Sequence, residues 1–169
     1  LTYLNRREWL HARDQLRQLK KLIRKYTGCY EGSLLKRKRF GPLCTRCNDR
    51  LTDEPKDSKC PVCYGTGILA GYFAAVPGFY VELGLEQTRE KVEIQAAATS
   101  KPLVIQGACA ADVLVNSRDV FVAERSGRRW FVETVQTLAE YRGYPTKYQL
   151  ELRVAPFSDA VYKVPLSGS

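Results

Sequence analysis

Between residues 3 and 27 the apolar positions recur at alternating spacings of three and four. Trp9, Ala12, Leu16, Leu19, Ile23 and Tyr26 fall in one stripe, with Arg13, Arg17, Lys20, Lys21 and Arg24 mostly off it. That is the period of a helix with one face to bury. A stop is expected at Thr27 and Gly28, because glycine adopts the left-handed conformation that helix ends require. The stripe is under three heptads long, too short for a free coiled coil. Trp9, Leu16, Leu19, Ile23 and Tyr26 are therefore expected to dock on the same chain or on a neighbouring subunit.

From Ile68 onward the period changes to two. GYFAAV, GFYVELG, KVEIQAAA, PLVIQG, DVLVN, DVFVAE, RRWFVETVQTL, KYQLELRV and AVYKVPL read as short strands, with Tyr148, Leu150, Leu152 and Val154 alternating against Gln149, Glu151 and Arg153. DVFVAERSGRRWFVETV reads as a hairpin turning at Ser126 and Gly127, and RGYP, residues 142 to 145, as the next turn. Strands this short and this closely spaced indicate a small antiparallel barrel or sandwich. The predicted fold is thus mostly β with an N-terminal α-helix and a cysteine-rich insertion. It divides into a basic helix (1–28), a basic connector (29–43), a cysteine module (44–67) and a β domain (68–169).

Charge separates the same regions. Residues 1 to 50 hold 14 Lys/Arg against 4 Asp/Glu, whereas residues 51 to 169 hold 13 against 14. The basic third calls for a polyanionic or acidic partner, and the neutral remainder reads as scaffold or assembly surface. Within the connector, Lys36, Arg37, Lys38 and Arg39 cannot all face a core, so some of them point to solvent or to phosphates. With them, Arg17, Lys20, Lys21 and Arg24 of the helix are the candidate contacts to DNA or to an acidic partner. No apolar run approaches the roughly 20 residues of a membrane span, and no signal-peptide core follows the N-terminus. The chain contains no Met, so a segment before Leu1 is expected.

The strongest local signal is Cys44-x2-Cys47, twelve residues, then Cys60-x2-Cys63. This is the spacing of a four-cysteine zinc site, in which each pair forms a tight knuckle with both thiolates aimed at one ion. Pro61, Gly65 and Gly67 supply the turns that let amides reach the sulfurs. Four thiolates leave no open coordination position, so the zinc would be structural. Two disulfides are the rival account, disfavoured without any sign of secretion. Cys29 and Cys109 stand apart as ordinary thiols, and the lone His11 reads as a surface residue. No nucleophile motif, phosphate-binding glycine loop or catalytic carboxylate pair is recognisable, so the chain reads as non-enzymatic.

Two resemblances follow from these residues. CPVCYGTG fits the CxxCxGxG module of DnaJ-type chaperones, but only over eight residues, and CTRCNDRL lacks the glycines of such a module. A second extends over about 120 residues: the two-knuckle segment ending in CYGTG and followed by GY, then DVLVNSRDVFVAERSGRRWFVETVQTLAEYRGYPTKYQLELRV, then APFSDAVYKVP. This order resembles the zinc-containing neck proteins and head-closure (stopper, head-tail joining) proteins of tailed bacteriophages. In those proteins an Asp opens a strand, a basic-aromatic-Val segment such as Arg129-Trp130-Phe131-Val132 follows a tight turn, and the last strand alternates Leu with polar residues. The basic N-terminal helix departs from that pattern. The resemblance implies a virion protein assembled in the host cytoplasm as a homo-oligomeric ring. Its partners would be a portal or adaptor protein, tail proteins and, non-specifically, packaged DNA in the lumen. The alternative is a zinc-ribbon nucleic-acid-binding protein with a small β-barrel. Against it, the aromatics form no recognisable stacking motif and the β domain is net neutral.

Overall fold

The computed structural model describes residues 6–26, 29–48, 56–83 and 104–166. One helix, α1 (Arg6–Tyr26), precedes six strands: β1 (Tyr30–Leu35), β2 (Val76–Leu83), β3 (Val104–Ala110), β4 (Val120–Ala123), β5 (Arg129–Tyr141) and β6 (Tyr144–Val154). A 3-10 turn, Ala160–Lys163, follows. The strands are antiparallel and close into a barrel in the order β1-β2-β3-β6-β5-β4, sealed by β1 against β4 through Gly32↔Ala123 to Leu35↔Val120. This is the mostly-β, helix-first barrel with a four-cysteine insertion that the sequence predicts.

Alternation explains the interior. Leu150 and Leu152 of β6, Trp130 and Val132 of β5, and Phe121 of β4 point inward with Leu34, Val81 and Ile105. The rings of Phe79 and Phe121 meet at 5.9 Å and 54°, the tilted arrangement aromatic pairs prefer. β4 is buried on both faces, because Val120 and Val122 point outward under a second cluster built from Leu35, Tyr72, Ala155, Val161 and Val164. The β5–β6 hairpin turns at Arg142 and Gly143, both in the left-handed region (φ 49° and 77°). Two such residues make the turn whose twist matches paired strands.

α1 docks on its own barrel, against β2, β3 and β6. Ala12, Leu16 and Ile23 are buried, and Ile23 packs with Tyr80 and Ala110 while Leu19 is half-covered. Glu8 in the first turn and Arg24 and Lys25 in the last have the signs that suit the helix dipole. Ion pairs from Lys20 to Asp112 (2.6 Å) and from Glu8 to Arg142 tie the helix down at its flanks. Trp9 does not share this burial: it is 46% exposed, with the Arg13 guanidinium stacked on it at 4.9 Å.

Three sequence expectations are corrected. The connector 29–43 contains β1, a full barrel strand, so the β domain does not begin at residue 68. DVLVN forms turns rather than a strand; Val113 and Val115 alternate inward, but the segment has no ladder partner among the described residues. AVYKVPL is the 3-10 turn, its buried Ala160, Val161 and Val164 spaced for one face of a tight helix. The expected strand KVEIQAAA lies outside the described residues.

Candidate metal centre

The cysteine module is spliced between β1 and β2 on a short two-stranded stem. Lys38 N donates to Gly71 O (2.9 Å), Phe73 N to Lys36 O (2.9 Å), Leu69 N to Pro42 O (2.9 Å) and Cys44 N to Gly67 O (2.8 Å). Gly71 at the stem has φ 51°, and a Cβ there would stand 2.4 Å from Cys63 O, so only glycine fits.

On this stem the two knuckles face each other. In the first, Asn48 N donates to Cys44 O (3.1 Å); in the second, Tyr64 N donates to Cys60 O (2.8 Å) and Thr66 N to Cys63 O (3.1 Å). The Thr66 hydroxyl donates to the same Cys63 carbonyl at 2.7 Å. An Asx-type turn, Lys59 N to Asp57 Oδ1 at 2.8 Å, leads into Cys60. All four sulfurs are buried and lie within 4.8 Å of one another. Cys44 Sγ is 3.8 Å from Cys60 Sγ, and Cys47 Sγ is 3.3 Å from Cys63 Sγ. A tetrahedron of sulfurs about 2.3 Å from a central zinc has edges of about 3.8 Å. The first separation matches that edge, the second is about 0.5 Å shorter, and both are far longer than the roughly 2.05 Å of a disulfide. The four cysteines can therefore hold a metal ion.

The electrostatics carry the mark of a ligand set. Burial pushes the Cys60 thiol up, but the amides of Cys63 and Val62 and the neighbouring thiols outweigh it and bring it down to about 7. Cys47 is driven upward, first by burial and then by sharing protons with its neighbours. Cys63 is also raised by burial, although the Gly67 and Gly65 amides pull the other way. Amides aimed at sulfur and crowded thiols suit a cation that would replace the shared protons. Tyr64 packs 6.5 Å from Tyr72, joining the second knuckle to the outer cluster of the barrel, where burial lifts the Tyr72 phenol to about 12.

The other predicted site residues divide. Lys36 turns inward to Asp119 (2.7 Å) and to Leu114 O, whereas Arg39 is exposed and Arg37 and Lys38 are half-buried. On the helix, Arg17, Lys21 and Arg24 are exposed, Arg24 leaning over Tyr80, while Lys20 is ion-paired to Asp112. Leu16, Leu19 and Ile23 dock as expected, and the Tyr26 side chain lies outside the described set. Cys109 is a core thiol that burial pushes up to about 12, and Cys29 packs beside Ile23 and Tyr80.

Two residues that the sequence reading passed over as site residues organise the surroundings. Asp119, 1% exposed, accepts from Lys36 Nζ, Arg37 N (2.9 Å) and Asn116 N (2.9 Å). Arg129 donates to Val161 O and to Val164 O (2.9 Å), clamping the C-terminal turn over β4. Nothing in the order of neighbours announces either role, since both depend on a loop more than thirty residues away in sequence.

Fold and site together define a closed six-stranded β-barrel with a docked basic helix and an inserted four-cysteine module that can bind metal. The chain matches no protein-family model, and no curated protein matches it significantly in sequence.

Proposed function

We propose that this protein is a structural subunit of a tailed-phage neck, forming a ring between the portal complex and the tail that helps retain packaged DNA, with structural zinc in its four-cysteine module. The observation that carries the ring is the far half of the β5–β6 hairpin. β5 pairs with β4 only through Val120↔Phe131, Phe121↔Trp130 and Val122↔Arg129. Beyond Val132 its outer edge has no strand partner among the described residues, and Leu138 there is 53% exposed. An unpaired edge is a template for another chain. Register shifts at Val132/Thr134, Thr137/Ala139 and Ala139/Glu140 restrict that edge to a partner of matching shape. An open strand edge that meets a different surface of the next copy makes a head-to-tail contact, which closes into a ring when the rotation allows. Zinc is favoured because four buried cysteines whose sulfurs lie within 4.8 Å of one another suit its preference for four thiolates and would exclude water from the ion.

The test is native mass spectrometry and electron microscopy of the zinc-loaded chain, alone and with purified phage portal complexes. Closed rings are expected, and Leu138→Glu should leave monomers with unchanged zinc content and circular dichroism. A chain that stays monomeric at every concentration and ignores portal and tail complexes would overturn the proposal. The zinc-ribbon nucleic-acid reading draws support from the cationic surface beside the ribbon. Nanomolar, steeply salt-dependent nucleic-acid binding by a monomer that never assembles would favour it instead.

A further inference from the structure

Where the stem of the cysteine module meets the turn before β4, an open cleft of about 450 Å3 is lined by Arg37, Lys38, Arg39, Thr66, Ser117 and Arg118, with Ile68 at its edge. Four cations line one concavity, and none of them is ion-paired among the described residues. The nearby carboxylate is already committed, because Asp119 is buried under Lys36 and two backbone amides. Arg37 spends one guanidinium contact on Thr66 O at 3.4 Å and its backbone amide on Asp119. Its guanidinium is pulled below the usual arginine range, chiefly by burial and further by the charges of Arg118 and Arg39, with Tyr72 opposing. Arg118 is held in the left-handed region (φ 68°), its amide donating to Val132 O at 2.6 Å. The fold thus fixes like charges side by side, Lys38 leaning over the Phe73 ring and reaching Leu69 O at 3.4 Å, with no carboxylate paired to any of the four side chains among the described residues.

We infer that this cleft is a binding site for the phosphodiester backbone of nucleic acid, which it grips without reading bases. Guanidinium forks take phosphate oxygens in pairs, and Lys and Ser/Thr hydroxyls complete the usual set of phosphate contacts. The cleft has these residue types and no carboxylate. It is an open trough between two elements and not a closed cavity, which suits a continuous chain of phosphates better than a small anion. The site is narrower than the basic run of the sequence: Lys36 is excluded by Asp119, and Arg118 and Ser117 are recruited from more than seventy residues away. This deepens the neck reading by naming the surface that meets packaged DNA, yet the two fail separately.

The test is fluorescence anisotropy of the zinc-loaded full chain with a short labelled DNA duplex across a salt series. The Arg37→Gln/Arg118→Gln variant should bind at least about tenfold more weakly, and its log K against log salt slope should fall by about two. Arg17→Gln/Lys21→Gln on the helix should change both far less. Ser117→Glu, on an exposed rim position, should weaken binding similarly and provides a second reading if loss of Arg37 disturbs the stem. Wild-type binding by both cleft variants would overturn the site. So would a polyglutamate peptide that competes as well as DNA, or inorganic phosphate that displaces DNA completely at matched ionic strength. Retained DNA binding by the Leu138→Glu monomer would support the cleft whatever becomes of the ring.

Discussion

Replacing Asp119 by Asn keeps the shape of the side chain and removes its charge. In the native protein one oxygen accepts from Arg37 N and the other from both Lys36 Nζ and Asn116 N. Asn retains one acceptor but turns an NH2 toward groups that can only donate, so at least one charge-assisted hydrogen bond is lost and one buried donor is stranded. Loss of a hydrogen bond to a charged group costs about 1.5–3 kcal/mol. Lys36 is 19% exposed and can swing toward water, so the broken ion pair adds only about 1 kcal/mol more. The expected destabilisation is about 2–4 kcal/mol, a large share of the 5–15 kcal/mol typical of a domain. With a urea m-value of about 2 kcal/mol/M, the midpoint should fall by about 1–2 M. Urea unfolding of the zinc-loaded chain measures this directly. A Lys36→Met cycle should show coupling between the two sites, since they share one hydrogen-bond network. A midpoint shift under about 0.25 M would refute Asp119 as the tie between the basic stem and the barrel.

Two further outcomes concern the metal. Cys60→Ser should release about one equivalent of zinc and disorder the segment from residue 40 to residue 70, because ion-binding energy is folding energy for so short a module; inductively coupled plasma analysis with hydrogen exchange reads both, and metal-free protein with unchanged protection would contradict it. Zinc affinity should rise with pH, because burial keeps Cys47 and Cys63 protonated in the metal-free chain while Cys60, lowered to about 7, is already half-ionised near neutrality. At least two protons released give at least about a hundredfold gain per pH unit below the Cys47 and Cys63 pKa values, measurable with a chelator competition between pH 6.5 and 8, and a flat profile would reject the assigned proton load.

The helix and the last two strands were legible because one period governs each of them. β6 alternates Tyr148, Leu150 and Leu152 inward without interruption, and α1 holds its stripe from Ala12 to Ile23. β1 was hidden by a bulge between Gly32 and Ser33, after which Leu34 faces the interior and Leu35 the outer cluster. Two consecutive buried leucines break the alternation that marks a strand. AVYKVPL misled in the opposite sense, since Ala160, Tyr162, Val164 and Leu166 mimic a period of two that the 3-10 turn does not use. The cysteine quartet could be read directly because its chemistry is written in spacing. The cleft could not, because Arg118 reaches Arg37 only through barrel closure, and Lys36 leaves the basic run for an aspartate more than eighty residues away.

The place where the cysteine module is spliced has a consequence for the order of folding. β1 finds both of its partners late: β2 begins forty residues after β1 ends, and β4 much later still. Until the module closes, Leu34 and Leu35 have nothing to cover them. An ion that draws Cys44 and Cys47 to Cys60 and Cys63 shortens the effective loop, which by itself lowers the closure penalty by only about 0.6 kcal/mol per halving. Its larger effect is to set the stem in register, Arg37 opposite Tyr72 and Leu43 opposite Ile68, so that β2 arrives already aligned with β1. A bound metal would thus act on the growing chain as a guide for strand pairing, and chains folding without it would leave their first strand exposed and free to pair with the wrong neighbour.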